Sequence, residues 1–130
     1  MLDQRSLYAL VAQWRSRKCS LALARRCPGQ NGEVSYGTGV TAPILRYHPA
    51  IVAQVFATLG YMFPNRVFLG VGKGEALNEV TSGNHWPSSR ERFQRLKEAI
   101  HLIKKLWTEK WVTFKGQYYS VRDSKSLHEA

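Results

Sequence analysis

The sequence predicts an α/β fold with parallel strands, on three observations. Val67-Phe68-Leu69-Gly70-Val71 is a continuous apolar run, which suits a parallel strand buried on both faces better than a one-sided antiparallel strand. A second strand-like stretch, Val34 to Val40, precedes it across an apolar, helix-length interval opened by Pro49. Beyond it, Phe93, Leu96, Ile100, Ile103 and Trp107 recur at helical spacing behind Ser88-Ser89-Arg90-Glu91, a run with the capping-box spacing. A right-handed crossover from strand to helix to strand sets 34–40 beside 67–71, with both carboxyl ends opening toward the one face where ligands gather in such folds.

The elements follow in order. Residues 6–26 are compatible with one helix, since Leu7, Leu10, Val11 and Trp14 share helical spacing, and Cys27-Pro28-Gly29-Gln30-Asn31-Gly32 breaks it. Val34-Ser35-Tyr36-Gly37-Thr38-Gly39-Val40 reads as a strand entering a loop closed by Pro43. Pro49 suits the first turn of a helix, and Ile51, Val52, Val55, Phe56 and Leu59 carry that helix to an expected end at Gly60. In the later helix Lys97, Lys104 and Lys105 occupy the polar face, and Glu91 and Arg95 stand four apart, able to support each other weakly. Trp111–Phe114 and Tyr118–Val121 then read as a hairpin around Lys115-Gly116-Gln117.

Composition bounds the class. A chain of 130 residues, 44% hydrophobic and 12% aromatic, fits one globular domain with a modest core. No run approaches the roughly 18 apolar residues of a membrane span, and Asp3 and Arg5 stand where an export signal is apolar, so a soluble, cytoplasmic protein is expected. Cys19 and Cys27 are unpaired by any Cys-x-x-Cys motif, which leaves two reduced thiols as the simplest reading. Lys and Arg outnumber Asp and Glu by 19 to 9, a net charge of +10 that attracts anions. Arg15, Arg17, Lys18, Arg25 and Arg26 concentrate that charge without the interleaved aromatics or the motifs of nucleic-acid readers. A solvated basic face is the plain interpretation, with a small nucleic-acid or phosphate-binding module as the alternative from another functional class.

Among chemical candidates, Gly70-x-Gly72-x-Gly74-Glu75 ends the buried strand, where absent side chains let backbone N–H groups approach an anionic or planar ligand. It lacks the third spaced glycine of a dinucleotide fingerprint, and the Gly-Lys-Ser/Thr ending of a P-loop. Glu75 lies just past the strand end, the place from which parallel barrels recruit catalytic groups, and partial burial there would suit it to act as an acid. The competing reading puts Glu75 and Glu79 in the first turn of a helix, as charges favoured by its dipole. His48, His85, His101 and His128 show no metal-ligand spacing, and His101 beside the apolar stripe reads as a packing or surface residue. No Gly-x-Ser-x-Gly elbow supports hydrolase chemistry.

Two longer stretches add a resemblance. Gly37-Thr38-Gly39-Val40-Thr41-Ala42-Pro43 continues through Arg46-Tyr47-His48-Pro49-Ala50-Ile51-Val52-Ala53-Gln54, and Pro64-Asn65-Arg66 leads through the glycine run to Glu75-Ala76-Leu77-Asn78-Glu79. With Arg92-Phe93, Leu106-Trp107 and Tyr118-Tyr119, they resemble the deazaflavin-dependent branch of the bacterial-luciferase-like superfamily, notably its sugar-phosphate dehydrogenases, over about 33–121. The resemblance implies a partial TIM (β/α)8 barrel, with 34–71 as third strand, third helix and fourth strand, and 89–107 as fourth helix. Residues 1–32 correspond poorly to the family and 122–130 form a tail.

The resemblance further implies an oxidoreductase using coenzyme F-420, an 8-hydroxy-5-deazaflavin, to take a hydride from a phosphorylated sugar, or from an alcohol in related enzymes. Its small-molecule substrate leaves no role for nucleic acid or membrane, and full-length relatives are expected to be homodimers. Glu75 matches the family's active-site acid/base. Lys73, Gly74 and Asn78 match positions that help bind the coenzyme, and the Gly39–Val40 peptide matches a non-prolyl cis bond that bulges beneath its ring. Ala42 and Lys73 stand where threonine is usual, so one hydroxyl is lost and one charge gained. The family's histidine base follows an aspartate, yet the only aspartates here are Asp3 and Asp123, neither before a histidine. An incomplete barrel without activity of its own is therefore expected, one that is unstable, self-associating or dependent on missing segments, since a half-barrel leaves parallel edges unpaired.

Overall fold

The computed structural model describes residues 27–28 and 34–125; the helix expected over 6–26 lies outside them. In chain order these residues form β1 (Cys27–Pro28), β2 (Val34–Gly37), α1 (Pro49–Met62), β3 (Val67–Phe68), α2 (Ala76–Glu79), a single 3₁₀ turn at Val80–Ser82, α3 (Ser89–Thr108), β4 (Trp111–Lys115) and β5 (Ser120–Lys125). One sheet has the order β1-β2-β3 and the other is the β4-β5 hairpin. The strand-helix-strand unit is as expected in order and direction, with β2 and β3 parallel, Tyr36 opposite Val67 and Gly37 opposite Phe68, but both strands are shorter than the 34–40 and 67–71 read from the sequence. The sheet does not close into a barrel among the described residues.

β1 is an addition to the expected order. Cys27 and Pro28 pair antiparallel with Ser35 and Val34, although a Pro-Gly sequence signals a turn. Proline is accommodated because β1 lies at the edge of the sheet among the described residues, where a missing N–H need not break a ladder.

His48 starts α1 by accepting the Ala50 N–H on Nδ1 at 3.2 Å, with Pro49 behind it at the first turn. The helix does not stop at Gly60. The Phe63 N–H still reaches the Leu59 carbonyl at 2.9 Å, and Pro64, which has no N–H to donate, ends the pattern. Ser88 caps α3 by accepting the Glu91 N–H at 3.2 Å. The Glu91 carboxylate reaches forward to Arg95 at 2.8 Å, the i,i+4 pair read from the sequence.

The buried face of α3 differs from the stripe expected. Ala99, Leu102, Ile103 and Leu106 pack with Val52, Ala53 and Phe56 of α1 and with Val112 and Tyr119 of the hairpin, whereas Phe93 is 59% exposed. The expected stripe ran along one edge of the helix, and the hairpin draws burial round to the 99-102-106 side. The Trp107 indole N–H donates to the Ala53 carbonyl at 2.9 Å and ties α3 to α1.

The hairpin is shifted relative to its expected strands. Tyr118 and Tyr119 were expected in the second strand, but their N–H groups, with that of Gln117, donate to the Glu98 carboxylate of α3 at 2.8–3.0 Å. Pairing therefore begins at Lys115 opposite Ser120, and β5 runs on to Lys125 opposite Trp111. Beside this anchor, the Tyr119 phenol donates toward the carbonyls of Ile44 at 2.8 Å and Pro43 at 3.2 Å, and its ring meets the edge of His48. Burial pushes the Tyr119 phenol up to about 12, against the opposing pull of Arg95.

Two expectations follow. A Cβ on Gly60 would meet no atom within 4 Å, so Gly60→Ala should raise stability by roughly 0.5–1 kcal/mol in urea unfolding. The folded state holds the Tyr119 proton more tightly than the unfolded chain, so its contribution is complete below pH 10 and declines as pH rises toward 12. Tyr119→Phe should lose about 1 kcal/mol at neutral pH, and the gap between wild type and variant should narrow through that alkaline window.

Candidate functional site

The site begins with a mismatch in strand length. Gly37 pairs with Phe68, and pairing resumes at Thr41 with Val71. The first strand takes four steps where its partner takes three, so one extra residue is extruded. Within that interval the Gly39–Val40 peptide is cis, at the bond expected from the sequence. The strands close again beyond it: the Thr41 N–H donates to the Gly70 carbonyl at 2.8 Å and the Gly72 N–H to the Thr41 carbonyl at 2.9 Å. The Thr38 hydroxyl also donates to the Gly70 carbonyl, at 3.0 Å.

The two faces of β3 and its continuation differ in kind. Val67, Leu69 and Val71 line a groove of about 850 Å3 with Phe56, Ile103 and Trp107, on the helix side. Strand alternation turns Gly70 and Gly72 to the opposite face. There the glycines are required by contact: a Cβ on Gly70 would strike the Thr38 carbonyl, and one on Gly72 would lie 2.6 Å from Cγ2 of Val40. Val40 rides over this smooth strand 49% exposed, an apolar knob at the mouth of the strand pair.

The remaining candidates follow on the two chain segments that leave the sheet. Gly74 has φ +71°, and a Cβ there would meet the Ala42 Cβ at 3.2 Å and the Glu79 Cγ at 3.0 Å. Ala42 is buried, Asn78 half-buried, and Lys73 and Glu75 exposed. Glu75 precedes α2 in extended conformation, with no capping bond from its side chain; its carbonyl accepts the N–H groups of Asn78 and Glu79, each at 3.0 Å. The structure thus brings Ala42 of one loop against Gly74 of the other, and Val40 against Gly72, with Lys73, Glu75 and Asn78 close to Gly74 along the chain.

Two expectations about the acids are corrected. Glu75 is not partly buried: it ends the loop that leads from the sheet into α2 and is exposed among the described residues. Glu79 does stand in the first turn of α2, as the competing reading put it, but it is 1% exposed and has partners beyond the dipole. Its Oε2 accepts the Arg46 backbone N–H at 3.2 Å, and its Oε1 lies 3.8 Å from the Arg46 guanidinium. No local pattern marks Glu79 or Tyr119 for these roles, since their partners lie 33 and about 75 positions away.

The profile of the luciferase-like monooxygenase family matches residues 32–130. The chain belongs to that family. Among its relatives, an F-420-dependent glucose-6-phosphate dehydrogenase of Microbacterium testaceum is 63% identical over 91 residues, 70% of this chain and 27% of the relative. One from Intrasporangium calvum is 48% identical over 118 residues, 85% of this chain and 35% of the relative. The chain therefore spans about a third or less of these relatives' length. Among solved structures, an F-420-dependent secondary alcohol dehydrogenase in complex with an F-420–acetone adduct superposes with TM-score 0.69 at 45% identity, over 75% of this chain and 31% of that one. The α/β unit is thus part of a luciferase-like fold.

The glycine contacts rank two substitutions. Gly70→Ala meets a backbone carbonyl that cannot rotate away, whereas Gly72→Ala meets a side-chain methyl that can. Gly70→Ala should cost more than Gly72→Ala in denaturant unfolding, with losses in the range of about 1–3 kcal/mol.

Proposed function

We propose that this chain forms the coenzyme-ring half of a deazaflavin-dependent dehydrogenase that takes a hydride from a phosphorylated sugar. The observation that carries the reading is the apolar bulge at Gly39–Val40, seated on Gly70 and Gly72. The residues fit a deazaflavin: Val40 offers an exposed apolar surface to one face of a planar ring, and Gly72 leaves the space that keeps Val40 in place. When bound, the coenzyme supplies the hydride acceptor.

The chain's own residues bind, orient and handle a proton. Gly74 and Asn78 frame the turn in which backbone groups approach the coenzyme. Lys73, exposed at the loop, favours its phosphate and acidic tail by charge. Glu75 carries a carboxylate that exchanges a proton in the substrate half-reaction; its exposure among the described residues is what access to a ligand requires. The relatives named as glucose-6-phosphate dehydrogenases favour a sugar phosphate, and the alcohol dehydrogenase structure supports a secondary alcohol as the second reading. Among the described residues no helix is long and apolar enough to cross a membrane, in keeping with a cytoplasmic enzyme, and a homodimer remains part of the proposal.

Titration of coenzyme F-420 with the 130-residue chain should quench deazaflavin fluorescence saturably. Lys73→Ala should weaken binding by about two- to fivefold and flatten its salt dependence, as expected for one exposed charge. Glu75→Gln should leave binding near wild type. Absence of saturable quenching by the wild-type chain overturns the reading.

A further inference from the structure

We propose that Glu79 is a positioning residue that holds the two coenzyme loops in register, an inference that rests on the functional reading above. Three observations converge on it. Glu79 is the charged side chain buried most completely among the described residues, at 1% exposure. Through Oε2 it accepts the backbone N–H of Arg46, and Oε1 faces the Arg46 guanidinium; both contacts belong to the loop that leaves the Gly39–Val40 bulge. Its aliphatic stem lies directly under Gly74, on the second loop, where Ala42 of the first loop also packs.

One side chain therefore grips the first loop through its carboxylate and supports the second through its methylenes. Gly74 can hold φ +71° in that narrow space because it brings no Cβ between Ala42 and Glu79. A buried carboxylate tolerates little displacement, because leaving its partner strands a charge in a poorly solvated place. The loops consequently move together or not at all, and the spacing between the Val40 knob and Glu75 is set from beneath. Glu79 touches neither the substrate nor the coenzyme in this arrangement; it acts through Ala42, Gly74 and Arg46.

The test uses the full chain with Glu79→Ala, Glu79→Gln and, as a core change remote from both loops, Ile103→Val. Fluorescence titration with coenzyme F-420, well below each melting midpoint, is paired with amide hydrogen exchange at Thr41 and Gly72. Glu79→Ala should weaken binding by more than about tenfold and speed exchange at both amides relative to those of α3. Glu79→Gln keeps the stem and an acceptor for the Arg46 N–H but exchanges a charged hydrogen bond for a neutral one, so about a fivefold loss is expected. Ile103→Val should lower the melting midpoint and change neither readout. Wild-type affinity and exchange in Glu79→Gln, or an equal loss of affinity in Ile103→Val, would overturn the assignment. Should Glu79→Ala not fold, Glu79→Gln decides alone. Should the wild-type chain not bind the coenzyme, the functional reading falls, and hydrogen exchange still decides whether Glu79 couples the loops.

Discussion

The parallel pairing of β2 with β3, carried one residue out of step between Gly37 and Thr41, is the constraint on which the rest depends. Two parallel strands cannot rejoin around an extra residue unless one backbone bulges and the other lets it. Gly70 and Gly72 supply that permission by contact, the one against the Thr38 carbonyl and the other against the Val40 side chain. Every candidate residue is placed relative to this step. Ala42 follows it on one strand, and Lys73, Gly74 and Glu75 follow its partner on the other. The site is thus a consequence of strand register, expressed at the end of the sheet where the chain turns outward.

The helices and the hairpin stabilise that arrangement from behind. α1 and α3 pack Val52, Ala53 and Phe56 against Ala99, Leu102, Ile103 and Leu106, and the hairpin closes the same cluster with Val112 and Tyr119. Glu98 collects three backbone N–H groups at the hairpin turn, which fixes where Tyr119 stands. Tyr119 in turn bonds the carbonyls of Pro43 and Ile44, on the loop that leaves the bulge. The loop is therefore held from the hairpin by a phenol and from α2 by the Glu79 carboxylate, two polar groups that are tolerated in buried places because each has partners. Distance from the site does not make these residues incidental to it.

How much of this was legible in the residues varies with the range of the interaction. The Pro49 start and the Ser88 cap depend on neighbours within a few positions, and each lies where the sequence indicated, whereas the apolar run at 67–71 forms a strand only at Val67–Phe68 and is half-buried, not buried on both faces. The Gly60 end of α1 was misplaced because glycine permits a stop without compelling one, while Pro64 compels it. The stripe through Phe93 met the buried face only at Ile103 and Trp107, because helical periodicity shows which residues share a side, and the position of the hairpin determines how far round that side is covered. Tyr118 and Tyr119 have the composition of a strand, yet a carboxylate some twenty positions earlier takes their N–H groups.

The sequence by itself determined the α/β class, the parallel strand pair and the set of residues at the strand ends, because those follow from local patterns of apolar, capping and glycine residues, while the family came from the resemblance of its longer stretches. Only the tertiary structure decided which of the two acids is exposed and which is buried. Glu75 and Glu79 differ by four positions and are chemically identical, so nothing local separates them. Burial is settled by what packs alongside, and here that is Gly74 from the neighbouring turn and Arg46 from across the chain. The same reason explains why Gly70, Gly72 and Gly74 read in the sequence only as a strand end where a ligand could approach the backbone. Their necessity comes from Thr38, Val40, Ala42 and Glu79, which the fold brings within contact of them.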